Sequence, residues 1–178
     1  MRCFIAIDLP KDVKTEIARL QKELPDAKMN LVKPDNVHFA MKFLGELNQK
    51  DIDKVRAALE RLKFPKFSAK LSGLGVFPEP AFIRVVWAGV DPKDKFIQLH
   101  DALESELAKE GFRKDSVFEN HATLARIKFI REKKWFVDKL SEIKVNPVEF
   151  SVKSIILKKS TLTSEGPVYE DLMEVRLQ

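Results

Sequence analysis

The chain has 178 residues, enough for one domain or two small lobes sharing a core, and its 44% hydrophobic content is ordinary for a globular protein. No apolar stretch is long enough to span a bilayer, the charged opening Met1-Arg2-Cys3-Phe4-Ile5-Ala6-Ile7-Asp8 is not expected to act as a signal peptide, and a single cysteine excludes an intramolecular disulfide. Thirty-two Lys and Arg against 27 Asp and Glu leave a formal charge of +5, a mild excess that suits an anionic partner without demanding one.

Cys3 to Ile7 reads as a strand, followed by a helix opened by Pro10 and carrying Val13, Ile17, Leu20 and Leu24 at helical spacing. Pro25 and Pro34 bracket a connecting stretch before an alternating strand from Val37 to Leu44. Asn48 is a plausible N-cap for a second helix that buries Ile52, Val55, Leu59 and Leu62. Two strands around Phe67 to Val76 and Phe82 to Val90 follow, joined by Pro78-Glu79-Pro80. The order then starts again. A third helix after Asp91-Pro92 carries Phe96, Leu99, Leu103 and Leu107 and stops at Gly111. A strand around Asn120 to Ile127, a short helix with Trp135, Phe136 and Leu140, and two or three more strands around Val148 to Leu157 and Val168 to Leu177 complete the chain. Each half reads helix, histidine-bearing strand, helix, then paired strands, with no Gly/Ser linker between them. The expected fold is α+β: one domain of two pseudo-twofold-related halves, approximately 1–90 and 91–178, with antiparallel sheets flanked by helices around a central cleft.

The two histidine strands carry the chemistry. Alternation along Val37-His38-Phe39-Ala40-Met41-Lys42-Phe43 sends Val37, Phe39, Met41 and Phe43 into a core and leaves His38, Ala40 and Lys42 on the opposite face, with room for an anion. Along Asn120-His121-Ala122-Thr123-Leu124-Ala125-Arg126, His121 and Thr123 share a face in the same way. Taken singly, a histidine in a strand is more often structural than catalytic. Two of them at equivalent places in two similar halves point to a shared cleft instead.

These segments resemble the paired H-x-T/S-x motifs of the two-histidine phosphoesterases, and in particular the RNA 2′,3′-cyclic phosphodiesterases, also called LigT-like 2′-5′ RNA ligases. The likeness extends to Arg2–Asp8, Gly75-Val76-Phe77-Pro78, Val85–Val90, Leu157–Leu162 and Gly166-Pro167-Val168-Tyr169. It implies hydrolysis of a terminal 2′,3′-cyclic phosphate to a 2′-phosphate, with His38 as proton donor to the leaving oxygen and His121 as proton acceptor from water. It also implies a possible reverse reaction that joins RNA ends through a 2′-5′ linkage. The residues alone leave the reverse assignment of the two histidines open. Thr123 would donate to a phosphate oxygen, and Lys42 and Arg126 would neutralise it. A regular strand turns Arg126 to the wrong face, so a bulge or the strand's end is needed to bring it round. Lys158 and Ser160 are further candidates for nucleotide contact.

Ala40 departs from the family pattern, which has threonine or serine there, and removes one donor from the expected site. Two other readings are therefore carried alongside: a cyclic phosphodiesterase of small nucleotides, and a non-catalytic RNA-end binding module with a decayed first motif. No metal or other cofactor is expected, since no H-E-x-x-H or Cys/His cluster is present, and no G-x-x-x-x-G-K-[ST] loop. The expected partners are RNAs with cyclic phosphate ends, tRNA fragments among them, acted on by a cytoplasmic monomer. His100 reads as a boundary residue of the third helix, and Phe39, Phe43 and Trp87 read as core.

Overall fold

The apolar spacing seen in the sequence becomes helices packed on one side of a sheet. The computed structural model describes residues 1–178 and contains β1 (Arg2–Asp8), α1 (Lys11–Glu23), β2 (Lys28–Leu31), β3 (His38–Glu46), α2 (Gln49–Arg61), β4 (Phe67–Glu79) and β5 (Phe82–Asp91). The second half continues with α3 (Lys93–Lys109), β6 (Ala122–Phe129), α4 (Lys133–Glu142), β7 (Glu149–Val152), β8 (Ser154–Thr163) and β9 (Gly166–Arg176). Val13, Ile17 and Leu20 of α1, Ile52, Val55 and Leu59 of α2, and Phe96, Leu99, Leu103 and Leu107 of α3 are all buried in one core. Asn48 caps α2 by accepting from the Asp51 amide at 3.0 Å. The α3 helix ends at Gly111, whose φ of 89° suits glycine. No helix is long and apolar enough to cross a membrane.

The strands follow the order β7-β4-β5-β6-β3-β1-β8-β9, every pair antiparallel. That order is a palindrome of roles about the β6–β3 junction: β5 flanks β6 as β1 flanks β3, and β4 and β8 lie next outward. The two halves thus meet as one continuous sheet rather than two. The junction itself is a single pair, Phe39 with Ala122, at the first turns of both histidine strands. Beyond it β3 and β6 run apart in opposite directions.

Sequence patterning misses β2, and the stretch expected from Val148 to Leu157 divides at Lys153 into β7 and the start of β8, which lie toward opposite edges of the sheet. β2 has four residues, mostly exposed, too few for the alternation of Lys28-Met29-Asn30-Leu31 to stand out, and it lengthens the ladder on β6 by pairing Asn30 with Arg126 and Leu31 with Ala125. A smaller second core lies under α4, where Phe136 and Leu140 pack on Val86, Ala125 and Ile127.

Candidate active site

His38 and His121 stand at the starts of their strands in matching surroundings. The Nδ1 of His38 lies 2.8 Å from the Asn36 carbonyl, and the Nδ1 of His121 lies 2.8 Å from the Glu119 carbonyl. A carbonyl only accepts, so each Nδ1 carries the proton and donates it. Both Nε2 atoms are thereby left to trade protons with a substrate. In each half the anchoring carbonyl belongs to the residue two before the histidine, a repetition that points to selection for ring orientation.

The Phe39–Ala122 pair sets the mutual register. Alternation about that pair puts His38 and Ala40 of β3, and His121 and Thr123, on the face opposite Phe39 and Ala122. The two histidines thus stand on one face, each one residue from the pair that joins their strands. Thr123 and Ala40 are both half-buried on that face.

Both strands carry a β-bulge three residues after the histidine. On β3 the register passes from Ala6–Ala40 to Ile5–Lys42, so Met41 is unpaired; on β6 it passes from Trp87–Thr123 to Val86–Ala125, so Leu124 is unpaired. Each bulge inserts one residue and reverses the parity beyond it. On β6 the result brings Arg126 back to the face of His121 and Thr123, exposed, where its charge helps to disfavour protonation of His38.

On β3 the same device corrects two expectations. Lys42 does not face the cleft. It is 4% exposed, on the core side, where its ammonium pairs with Glu104 at 2.6 Å and Asp115 at 2.9 Å. Phe43 takes the cleft-side position and is 70% exposed, not core. Simple alternation from His38 fails at Met41, and nothing in the residue types announces the bulge.

Aromatic rings wall both histidines. Phe4 lies 4.9 Å from the His38 ring and Tyr169 meets it edge-on at 5.4 Å. Phe77 meets His121 edge-on at 4.8 Å, with Trp87 behind at 6.5 Å. Trp87 thus belongs to the site wall rather than the deep core. Its indole lies over Gly75, its cross-strand partner, where an added Cβ would come within 2.2 Å of the ring. Only glycine leaves space there for the indole.

A polar cavity of about 330 Å³ opens beside His38, lined by Asp8, Asp35, Asn36, His38, Lys158, Tyr169 and Asp171. His121 lies outside its lining, so the two histidines share the sheet face rather than one enclosed pocket. Burial, the largest cause, pushes the His38 imidazole below the ordinary histidine range, against the opposing backbone hydrogen bond and the charge of Asp8. Lys158 is buried and bridges Asp8 at 2.9 Å and Asp171 at 2.6 Å. Burial alone would lower its pKa, but the hydrogen bonds it donates to both carboxylates and their charge outweigh that and hold it above the usual lysine value. Asp8, Tyr169 and Asp171 are not marked as site residues by any local pattern, because sheet order alone brings β1 beside β3 and β9 onto the same side of the site, next to β8. Ser160 pairs with Tyr169 across β8 and β9 and does not line the cavity.

A family model described as LigT like Phosphoesterase matches this chain twice, over residues 7–87 and 89–169. The RNA 2′,3′-cyclic phosphodiesterase of Methanocaldococcus jannaschii is 36% identical over 98% of this chain and 99% of its own length. The protein of that name from Methanothermobacter thermautotrophicus is 33% identical over 99% of each. Among solved structures, apo Escherichia coli LigT aligns with a TM-score of 0.79 at 26% identity, covering 99% of this chain and 96% of that one. E. coli LigT complexed with 3′-AMP aligns equally well, at 0.79 and 27% identity over 99% and 97%.

Proposed function

Because this chain belongs to the LigT-like phosphoesterase family, we propose that it opens the 2′,3′-cyclic phosphate at an RNA 3′ end with water, leaving a 2′-phosphate. The observation that carries this reading is the matched pair of imidazoles, each with Nδ1 tied to a backbone carbonyl and Nε2 free, on one face of adjoining strands. The reaction needs one proton removed from water and one delivered to O3′. As the water oxygen forms its bond to phosphorus, His121 Nε2 takes its proton. As the P–O3′ bond breaks, His38 Nε2 gives its proton to O3′. Burial disfavours the His38 imidazolium before substrate binds. The negative phosphodiester offsets that when it binds, so substrate arms its own acid.

Thr123 donates its hydroxyl to a nonbridging oxygen, and Arg126 neutralises the phosphate. The cavity beside His38 is lined by three carboxylates, which repel a second phosphate and accept from hydroxyl or amino groups of the terminal nucleoside. Both proton transfers are assigned to side chains of this chain, so turnover needs no metal. The substrate is RNA rather than a small cyclic nucleotide, on the strength of the relatives' names and the +5 charge. With a 5′-hydroxyl in place of water, the same geometry runs toward a 2′-5′ linkage.

The test is turnover of an oligonucleotide ending in a 2′,3′-cyclic phosphate, in EDTA, by wild type, His38→Ala and His121→Ala. Conversion to a 2′-phosphate that both substitutions abolish is expected. RNA binding without conversion by the wild type would refute the assignment and leave a binding module with a decayed first motif.

A further inference from the structure

The two histidines are delivered by unequally built segments. Ahead of His38, the chain is fastened by backbone hydrogen bonds: β2 pairs with β6, and the Val32 amide donates to the Leu124 carbonyl at 2.9 Å. The buried Gln21 amide adds bonds to the carbonyls of Val32 and Leu124. A 3-10 turn at Pro34–Asn36 then presents the Asn36 carbonyl to His38. Ahead of His121, the stretch from Arg113 to Asn120 has no strand or helix and makes no backbone-to-backbone hydrogen bond. Yet it must present the Glu119 carbonyl to His121 just as firmly.

Side chains do there what a ladder does in the first half. The Lys42 ammonium donates to the Arg113 carbonyl at 2.7 Å and to Asp115 Oδ1 at 2.9 Å, and pairs with Glu104 on α3 at 2.6 Å. The Asp115 amide donates to Glu104 Oε2 at 3.2 Å. His100, 4% exposed on α3, stacks flat on Phe118 with ring centres 4.0 Å apart. Phe118 immediately precedes the residue whose carbonyl orients His121. We propose that Lys42, gripping Glu104 and Asp115 and flanked by the His100–Phe118 stack, is a positioning residue for His121.

Lys42 departs from β3 at the bulge, four residues after His38, so the cluster also ties the second histidine's approach to the first histidine's strand. His100, Glu104 and Asp115 are spaced to hold a cation. The ammonium of Lys42 already sits against both carboxylates, so the cluster contains its own counter-charge. The pseudo-equivalent of Lys42 on β6 is Ala125, where no such grip is needed because β2 pairs alongside.

This inference rests on His121 acting in catalysis, so His121→Ala is assayed in parallel. Lys42→Met alone would strand the buried Glu104 carboxylate and risks unfolding. Asp115→Ala, at a side chain 39% exposed, and the double variant Lys42→Met/Glu104→Met are the test proteins. Each is expected to keep wild-type KM within about twofold and its melting temperature near wild type. Each should lose ~10–10²-fold in kcat, the scale of a small misplacement of a reacting group. By NMR, the order parameters of residues 113–121 should fall, and the His121 Nδ1–H signal should broaden while that of His38 stays sharp. Wild-type kcat in both variants, with His121→Ala inactive, would overturn the positioning role and leave the function standing. A fall in kcat accompanied by lowered melting temperature and loosening of β1 and β8 would also overturn it, since the cluster would then be structural alone. Full activity in His121→Ala would instead remove the catalytic reading itself.

Discussion

Ala40→Thr is expected to make this enzyme faster. Ala40 occupies the cleft-facing position two residues after His38, the place that Thr123 holds after His121, and each lies one residue from the Phe39–Ala122 pair that joins the strands. A phosphate between the rings therefore meets one hydroxyl where pseudo-symmetry offers room for two. Removing a preorganised donor to developing charge typically costs about 10²–10³ in rate, or roughly 2.7–4 kcal/mol. Thr123→Ala should fall in that range. The gain at Ala40 is expected to be smaller, ~10–10²-fold, because the surrounding side chains have packed around a methyl group and threonine must spend a rotamer choice on aiming its hydroxyl. Threonine suits a strand, so stability should change little. Single-turnover cleavage of a short RNA with a 2′,3′-cyclic phosphate end reads the effect on chemistry directly. Ala40→Val matches threonine in shape and lacks the hydroxyl, so it isolates the donor from the bulk. If Ala40→Thr were no faster than Ala40→Val while Thr123→Ala dropped as expected, the phosphate would be engaged from one half only, and the symmetric placement of the two motifs about it would be wrong.

The His38 ring should titrate below the ordinary histidine range in the free enzyme, followed by NMR, and move upward when a nucleoside 2′-phosphate binds; a titration at or above the ordinary value would refute the burial argument. Since its folded pKa is lowered, the unfolded chain binds this proton more readily, so His38 contributes stability that is present above its unfolded pKa and lost as pH falls from there through the folded value. Denaturant midpoints should show this as a loss in wild type that His38→Gln lacks. Arg126→Met should lower kcat/KM by at least tenfold and flatten its salt dependence; an unchanged salt slope would place Arg126 off the phosphate. Phe43→Ser should raise KM for an oligonucleotide several-fold and leave a mononucleotide 2′,3′-cyclic phosphate unaffected, because the exposed ring on the cleft face offers a base-stacking surface; equal effects on both substrates would refute that.

Helices were legible because α1, α2 and α3 present one apolar stripe each, and Val13-Ile17-Leu20 or Phe96-Leu99-Leu103 can satisfy no other period. The family resemblance located His38, His121 and Thr123, and the structure gathers them on one sheet face. What stayed hidden depends on partners rather than on the strand itself. β2 exists because β6 has a free edge, not because Lys28–Leu31 favours extension. Asp8, Tyr169 and Asp171 reach the cavity through the sheet order β3-β1-β8-β9, which no local pattern encodes. Lys42 was misplaced because the alternation rule has no term for a bulge, and a buried lysine paired to two acids distant in sequence looks, from its neighbours, like any exposed one.

The two bulges explain why one rule misread Lys42 and nearly misread Arg126. From His38 to Phe43 and from His121 to Arg126 the sequence of exposure is identical: half-buried, buried, half-buried, buried, buried, exposed. The two adjacent buried positions break the alternation, and in both strands the break coincides with a bulge at the third residue after the histidine. In each half the bulge returns the fifth residue after the histidine to the cleft and sends the fourth to the core. The halves then diverge in what they place there. The second half puts a phosphate-seeking arginine in the cleft and a small alanine in the core. The first puts a phenylalanine in the cleft and a lysine in the core. A duplicated scaffold with identical backbone parity thus yields an asymmetric site, with an arginine at this position in one half and a phenylalanine in the other. Such a site suits a substrate that is itself asymmetric about its phosphate, with a nucleoside on one side and the attacking water on the other.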